Sequence, residues 1–440
     1  MLTDQFETNL REALFRQAQD LPPEVAARVR GHHYRPRRPH HHLVIRTLAV
    51  AVVATGVAVS AIVLQPASSS GHLSWRLVSD LDQAWQGSQP PTLKDGTSLT
   101  CPSASTCYAV VFPPPPRGSI SSPLVIEVTH DGGATWHQAD LPSGVTQASG
   151  QFGPIDCVSE DTCLTLVSNT SWNYEIVETT DGGRSWTTLP GPAPLSTKFA
   201  VSGGISCTSS ASCILIGSYA VGSPQVGQWD AEVTTNRGRT WTRRPMPAGA
   251  GGSVLCFAGG NCISAGAYST DGGETWSQGS LPSGIHGVWS MSCGDRIDCI
   301  ADAMSFPASR STPRRCSEGS YCPTAVTDVI MTTDGGHTWT IASHFPSGAL
   351  PTMSCVTAST CWAAGSTLDV PGGFLTIDGP QGQQKPVLES TEDQGQTWQA
   401  SELPTGYGIT GVGNVSCSDT TSCFAIGQSD RGLVFLSYGS

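Results

Sequence analysis

The sequence predicts an all-β chain folded as a seven-bladed β-propeller, and two alternating repeats carry that prediction. One repeat has the common form [ST]-x-D-x-G-x-[ST]-W and occurs six times, once with asparagine in place of the aspartate. The other is a pair of cysteines with the spacing C-x5-C. One unit measures roughly 37 to 62 residues between first cysteines, which is the size of a four-stranded blade.

The first repeat is typical of a tight turn with a structural role. Its aspartate can accept hydrogen bonds from the backbone N–H groups that follow, and its glycine tolerates a positive φ. Its tryptophan is a large anchor for packing between blades. Because Asn236 replaces aspartate in the third copy, we predict a structural role instead of catalysis or calcium binding. The predicted turn and anchor residues are Asp131 and Trp136, Asp181 and Trp186, Asn236 and Trp241, Asp271 and Trp276, Asp334 and Trp339, and Asp393 and Trp398.

All sixteen cysteines fall into eight C-x5-C pairs, which predict local disulfides in an oxidising compartment. Zinc is the alternative, but zinc ligands usually lie closer in sequence and these pairs would point to different places. We therefore predict no metal site and no cofactor. The pairs are Cys101/Cys107, Cys157/Cys163, Cys207/Cys213, Cys256/Cys262, Cys293/Cys299, Cys316/Cys322, Cys355/Cys361 and Cys417/Cys423, of which Cys316/Cys322 interrupts the fifth unit.

Seven regular cysteine pairs accompany only six copies of the turn repeat. The segment 69–79 resembles the tail of the fifth copy and places Trp75 at the tryptophan position. A strand at 72–78 is therefore predicted to complete the last blade, so that the propeller has no free edge. Only eight residues separate Cys262 from Asp271, which predicts that blade 4 has lost a strand or merged two.

Residues 43–64 predict one transmembrane helix, because no charge interrupts the run from Thr47 to Leu64. Arg35, Arg37, Arg38 and Arg46 precede it, so the positive-inside rule predicts a cytoplasmic segment 1–42 and an extracytoplasmic propeller at 65–440. A cleaved signal peptide is the alternative; it would need an unusually long charged region. The expected localisation is a cell membrane, crossed once.

Composition limits the partners. The formal net charge is −12, and the acidic part of the chain lies after residue 46. An acidic body argues against nucleic acid as a partner. The histidine-rich run 32–42 could bind metal, although a basic flank beside anionic lipid headgroups is the simpler interpretation.

The six-copy turn repeat resembles the Asp box, or BNR repeat, of sialidase-type propellers, sortilin-type receptors, xyloglucan-hydrolysing glycosidases and photosystem II assembly-factor propellers. The resemblance implies a propeller over about 72–440 and a structural role for the box. The arginine triad of sialidases begins with an Arg-Ile-Pro motif, which this chain lacks. For a glycosidase carboxylate pair, Asp298, Asp302, Asp328 and Glu232 are candidates by position alone.

The irregular connections predict where a ligand would bind, because variable loops on a rigid scaffold usually carry binding. Aromatic candidates for stacking on a sugar or peptide are Trp172, Tyr174, Tyr219 and Trp229. We therefore predict a non-catalytic, membrane-tethered binding or scaffold propeller with a protein or glycan ligand. The alternatives are an exo-acting glycosidase of sialidase type and an envelope receptor that signals through its N-terminal segment.

Overall fold

The computed structural model describes residues 73–81, 93, 97–112, 124–143, 145–147, 155–169, 174–192, 199–221, 226–305, 314–315, 321–322, 326–344, 352–368 and 384–439. These residues belong to one compact unit, Ser70–Ser440. Within them, no helix is long and apolar enough to cross a membrane. The predicted cytoplasmic segment 1–42 and transmembrane helix 43–64 lie outside the described residues.

Thirty-one strands make up the described fold. The first is β1 (Ser74–Asp80); blade 1 has β2 (Ser98–Thr100), β3 (Cys107–Val111), β4 (Val125–Thr129) and β5 (His137–Gln138). Blade 2 has β6 (Val145–Gln147), β7 (Asp156–Cys157), β8 (Cys163–Asn169), β9 (Tyr174–Thr179) and β10 (Thr187–Leu189), and blade 3 has β11 (Phe199–Cys207), β12 (Cys213–Val221), β13 (Val226–Thr234) and β14 (Thr242–Pro245). Blade 4 has β15 (Gly251–Cys256), β16 (Cys262–Ala265), β17 (Ala267–Ser269) and β18 (Ser277–Gln278), and blade 5 has β19 (Ile285–Cys293), β20 (Cys299–Ser305), β21 (Arg314–Arg315), β22 (Tyr321–Cys322), β23 (Val326–Thr332) and β24 (Thr340–His344). Blade 6 has β25 (Thr352–Cys355), β26 (Cys361–Leu368), β27 (Gln384–Thr391) and β28 (Gln399–Ala400), and blade 7 has β29 (Ile409–Asp419), β30 (Ser422–Ser429) and β31 (Gly432–Gly439).

Apart from the hairpin β21–β22, the strands form seven antiparallel sheets, one for each blade. The strands of a blade are called a, b, c and d in their order across the sheet, which is also their order along the chain except that β1 is the d strand of blade 7. In blade 2 the a strand is divided into β6 and β7, which both pair with β8. In blade 5 the small hairpin β21–β22 interrupts the b–c connection. The prediction of an all-β, seven-bladed propeller with disulfides inside the blades is confirmed.

Blade 7 takes its outer strand from the other end of the described chain. β1 pairs antiparallel with β31, so that Trp75 lies opposite Tyr438. Trp75 is 5% exposed and meets the Trp362 ring of blade 6 edge-on, with 5.2 Å between centroids. Trp75 therefore takes the place that the Asp-box tryptophans hold in the other blades.

Box tryptophans pack on the blade before them. Trp136 of blade 1 meets Phe435 of blade 7 edge-on at 4.8 Å, and Trp186 of blade 2 meets Tyr108 of blade 1 at 6.3 Å. Apolar clusters made by two adjacent blades fill each of these junctions. Side chains of adjacent blades therefore make one core at each junction, and the ring is held by these shared cores.

Blade 4 keeps all four strands, so the expectation of a lost or merged strand was wrong. β16 and β17 are short, and their hairpin turns at Ala265 and Gly266. Gly266 has a φ of +70°, and a Cβ there would lie 3.3 Å from the Gly249 carbonyl oxygen. A glycine at the tightest point of the turn explains how two strands fit into so few residues.

One carboxylate lies inside the core between blades 1 and 7. Glu127 pairs across β4 and β3 with Ala109, which belongs to the same apolar cluster as Phe435. Its side chain is buried, and Oε2 has no hydrogen-bond partner among the described residues. Burial raises the pKa of Glu127 from 4.5 to about 7.

Replacing Glu127 with glutamine should remove a pH-dependent loss of stability. Because the folded pKa is raised, the stabilisation by a neutral Glu127 is complete below about pH 4.5 and is lost as the pH rises through about 7. Glu127→Gln should therefore gain stability relative to the parent between these pH values, by on the order of 3 kcal/mol as an upper bound. Urea unfolding at pH 4.5 and pH 8 measures this, and an offset that does not change with pH would contradict it.

Candidate functional site

Seven disulfides close the a–b turns at one end of the propeller. Six of these bridges join residues directly opposite each other at the end of a hairpin, as Cys157 and Cys163 are in β7 and β8, and Cys101 immediately follows β2. The Cα atoms of bridged residues lie 3.9–4.1 Å apart. Seven predicted pairings are thus present, and Cys316 of the eighth lies outside the described residues. The bridges are Cys101–Cys107, Cys157–Cys163, Cys207–Cys213, Cys256–Cys262, Cys293–Cys299, Cys355–Cys361 and Cys417–Cys423.

The Asp boxes form the c–d turns at the same end, here called the Asp-box face. In each of six blades, the backbone N–H of the residue after the Asp position donates to the carbonyl of the fourth residue after the blade's first cysteine. In blade 2 this bond joins Gly182 to Asp161 at 3.0 Å. The two sequence repeats are therefore hydrogen-bonded to each other, which the sequence reasoning missed. The acceptor residue always lies four positions after the first cysteine of its blade, and this constant spacing was the signal available in the sequence.

Each box aspartate uses its carboxylate within its own turn. Oδ1 of Asp181 accepts from the Ser185 N–H at 3.0 Å and the Thr179 hydroxyl at 2.9 Å, and Oδ2 accepts from the Ser185 hydroxyl at 2.6 Å. These hydrogen bonds, the one from the Ser185 side chain first, hold the pKa of Asp181 below its usual value. In blade 3, Oδ1 of Asn236 accepts from the Thr240 N–H at 2.9 Å, which is the same turn bond. The geometry therefore supports the structural interpretation of the boxes.

Asp181→Asn should change the free energy of unfolding by less than about 1 kcal/mol, because an amide makes the turn bonds that Asn236 already makes. Asp181→Ala loses all three bonds and should cost about 2 kcal/mol more. Urea unfolding of both variants measures the difference. Because the pKa of Asp181 is lowered, its ionised carboxylate stabilises the fold only at pH values above that pKa. Any difference in stability between Asp181→Asn and the parent should therefore shrink as the pH falls. Equal losses in the two variants would show that the carboxylate has another role.

The residue after the Asp position has a positive φ, and in two blades it is not glycine. Arg237 in blade 3 has a φ of 62°, and Gln394 in blade 6 has a φ of 59°. The Arg237 guanidinium binds Oε2 of Glu178 in blade 2, with Nε at 2.9 Å. Gln394 Nε2 donates to the Thr332 carbonyl of blade 5 at 3.2 Å. Both side chains therefore connect their blade to the preceding one.

The glycosidase candidates do not converge on one site. Asp302 and Asp328 belong to neighbouring strands of blade 5 but point to opposite faces of its sheet, because Asp302 pairs with Val329 and Asp328 pairs with Ala303. Asp328 is buried and pairs with His344. Asp298 lies in an a–b turn on the Asp-box face, and Glu232 lies in the c strand of blade 3. A pair of facing carboxylates is therefore not formed by these four residues.

Asp302 is buried within blade 5. Burial raises its pKa to about 7, while Oδ1 accepts from the backbone N–H of Ser290. That N–H lies in an irregular part of the a strand, between Val288 and Met291, so the carboxylate satisfies backbone exposed by a β-bulge. Among the described residues, no group of three or more His, Cys, Asp or Glu side chains could hold a metal ion.

Three of the four aromatic candidates, Tyr174, Tyr219 and Trp229, lie in strands toward the opposite end of the propeller, here called the loop face. Tyr174 begins β9 and Tyr219 lies in β12, while Trp172 is outside the described residues. Trp229 is partly buried against the core between blades 3 and 4. A Cβ on Gly251 would come within 2.3 Å of the Trp229 ring, so the ring lies directly on that backbone. Trp229 therefore packs between two blades.

A groove opens on the Asp-box face between blades 7 and 1, with a volume of about 730 Å³. Comparable grooves between blades 3 and 4 and between blades 2 and 3 measure about 120 and 10 Å³. We call the large one the closure groove. Blade 7 contributes Arg76, Leu77, Val78 and Phe424 to it, and blade 1 contributes Ala104 and Asp131.

One family model matches a short part of this chain, and several solved structures are similar to most of it. The family model described as the BNR/Asp-box repeat matches residues 267–278, the fourth box. Among solved structures, the chain is similar to YCF48 bound to a D1 peptide (14% identity, TM-score 0.48, covering 84% of this chain and 97% of that one). It is also similar to an α-L-arabinanase from Penicillium chrysogenum (10%, 0.42, 83% and 97%) and to a sialidase from Trypanosoma rangeli with bound sialic acid (11%, 0.39, 82% and 58%). A search of curated protein sequences returned no significant match. The chain is thus a seven-bladed propeller with BNR-type repeats.

Proposed function

We propose that this protein is a non-catalytic binding or scaffold propeller, tethered to the membrane through residues 43–64 and presented outside the cytoplasm. Its ligand is a protein or a glycan. The observation that carries the proposal is that the candidate carboxylates either form structural hydrogen bonds or do not face one another. The box aspartates are engaged within their turns, and the buried candidates Asp302 and Asp328 point to opposite faces of one blade.

The contrast between the two ends of the propeller supports binding. Disulfides and paired turns repeat almost unchanged on the Asp-box face, whereas the b–c connections on the loop face vary widely. Blade 4 turns through two residues, Ala265 and Gly266, between β16 and β17, while blades 5 and 6 use the segments 306–325 and 369–383. Variable connections on a rigid frame are the usual arrangement of a binding protein.

The proposed topology is tested on intact cells. The arginines before residue 47 favour a cytoplasmic N-terminus, so external protease should release a fragment that begins after about Gln65. Protection of the propeller until the membrane is opened would contradict an outside location. A mature protein that begins near Ser68 in untreated cells would show cleavage in place of anchoring.

The proposed function is tested by a binding screen of the purified full-length protein against a glycan array and a panel of envelope proteins. We expect saturable binding to at least one of them, unchanged in Asp181→Asn. Fluorogenic sialosides and other glycosides test the enzymatic alternative in parallel. Turnover that disappears in Asp302→Asn or Asp328→Asn, with the fold intact, would overturn the non-catalytic assignment.

A further inference from the structure

We propose that the junction between blades 5 and 6 is a pH-sensitive seam of the ring, closely packed while Asp302 and Glu389 are neutral and loosened when both ionise. This regulation goes beyond the binding function proposed above and holds whichever ligand the propeller takes. The seam is the apolar core that the two blades share. Its buried apolar members are Ile300, Val329, Met353, Cys361, Ala363 and Val387.

Both carboxyl groups enter this core, and they do so from opposite sides. Asp302 lies directly opposite Val329 in the sheet of blade 5, and Glu389 lies directly opposite Ala363 in the sheet of blade 6. Side chains of residues paired in this way lie on the same face of a sheet. Because Val329 and Ala363 both belong to the shared core, Asp302 faces blade 6 and Glu389 faces blade 5.

Each carboxyl group has an oxygen without a hydrogen-bond partner among the described residues. Asp302 is 0% exposed, and its Oδ1 accepts from the Ser290 N–H while Oδ2 has no such partner. Glu389 is partly buried, and its Oε2 is enclosed without a described partner. Burial penalises the ionised form, which raises the pKa of Asp302 to about 7 and also raises the pKa of Glu389. The seam therefore favours two neutral carboxyl groups.

The charged groups on the surrounding strands do not compensate these acids. Asp328 and His344 pair with each other on the opposite face of blade 5. Lys385 is exposed and lies four residues before Glu389 in β27, which is about 13 Å along an extended strand. Arg296 is exposed in the a–b turn of blade 5, close to two aspartates of the same turn. Within the part of the chain that the structure describes, no cation lies in the shared core.

The pH dependence has the same sign for both groups. Because their folded pKa values are raised, the stability that the neutral groups contribute is complete below the ordinary values of 3.8 and 4.5. It is lost as the pH rises through the raised values. Two like charges would then share one core, and admitting water to the junction relieves both. The seam should therefore loosen between about pH 5 and about pH 8.

The junction between blades 7 and 1 is a natural comparison. Glu127 holds the position of Glu389, two residues before its box. The position of Asp302, three residues after the second cysteine of its blade, is taken in blade 7 by Ile426. Glu127 therefore faces an apolar side chain at the place where Glu389 faces a second acid.

Hydrogen–deuterium exchange of the purified full-length protein tests the seam at about pH 5 and about pH 8, after correction for the intrinsic pH dependence of amide exchange. Protection of β20, β23, β26 and β27 should fall by roughly tenfold or more relative to blade 4, whose four strands carry no Asp or Glu. An equal change in every blade, or no change in blades 5 and 6, would overturn the proposal.

Conservative variants assign the effect to the two acids. Asp302→Asn keeps an acceptor for the Ser290 N–H, and Glu389→Gln keeps the length of the side chain. Each should reduce the pH dependence of protection in blades 5 and 6, and the double variant should abolish it. Glu127→Gln is the matched control and should leave that pH dependence unchanged.

A double variant whose blades 5 and 6 lose protection as the parent does would show that other groups cause the effect. The single variants carry the same test where the double variant does not fold, since an unchanged pH dependence in both would also overturn the proposal.

Discussion

Replacing Arg237 with glycine should lower the free energy of unfolding by about 3 kcal/mol, although four other boxes carry glycine at this position. The Glu178 side chain is 0% exposed, and its Oε1 already lacks a partner among the described residues. Without Arg237, Oε2 would also lose its only described partner. A buried carboxylate would then remain uncompensated. Urea unfolding of the purified protein measures the loss.

A second substitution should restore most of this stability. Glu178 lies immediately before the first residue of its box, where blades 1 and 3 have Val128 and Val233. The double variant Arg237→Gly, Glu178→Val therefore combines two residues that other blades already use together. Arg239→Gly, at an exposed position two residues further on, is the control and should change stability by less than about 1 kcal/mol. A double variant no more stable than Arg237→Gly alone would show that the ion pair is not the cause.

Trp75→Ala should cost about 3–5 kcal/mol, the range for truncating a buried aromatic side chain. The loss has two parts, because Trp75 fills the junction between blades 6 and 7 and also anchors the strand that closes the ring. Thermal and urea unfolding measure it. Ser74→Ala on the same strand is exposed and should differ from the parent by less than about 0.5 kcal/mol. A Trp75→Ala variant as stable as Ser74→Ala would contradict a closing role for β1.

The repeats explain why so much of the architecture could be predicted from sequence. The spacing of the cysteines set the hairpins, and the Asp boxes marked the c–d turns. The mismatch between seven cysteine pairs and six boxes pointed to 69–79, and the structure has Trp75 in β1, at Ser74–Asp80 instead of 72–78. These features depend on residues close together in sequence, which is where periodicity is informative.

Features that depend on two blades meeting could not be read from the sequence. The sequence does not show that Glu178 pairs with Arg237 of the next blade, or that Oε2 of Glu127 has no partner among the described residues. Both lie in c strands just before a box, but one position apart, so Glu127 faces the preceding blade and Glu178 faces the following one. The predicted loss of a strand in blade 4 was wrong for a different reason. The two-residue turn at Ala265 and Gly266 lets two short strands fit between Cys262 and Asp271. The size of the closure groove likewise depends on strands from opposite ends of the described chain.

The ion pair of Arg237 and Glu178 makes the contact between blades 2 and 3 specific to that pair of blades. A repeat protein with identical units could exchange one blade for another, or gain a copy, and still match every neighbour. Here Glu178 of blade 2 fits only a following blade whose box supplies a cation, and Gln394 of blade 6 reaches into blade 5 in the same manner. Inserting a blade between blades 2 and 3, or between blades 5 and 6, would separate these partners. At least two blades, blades 3 and 6, therefore make side-chain contacts that are specific to the blade before them.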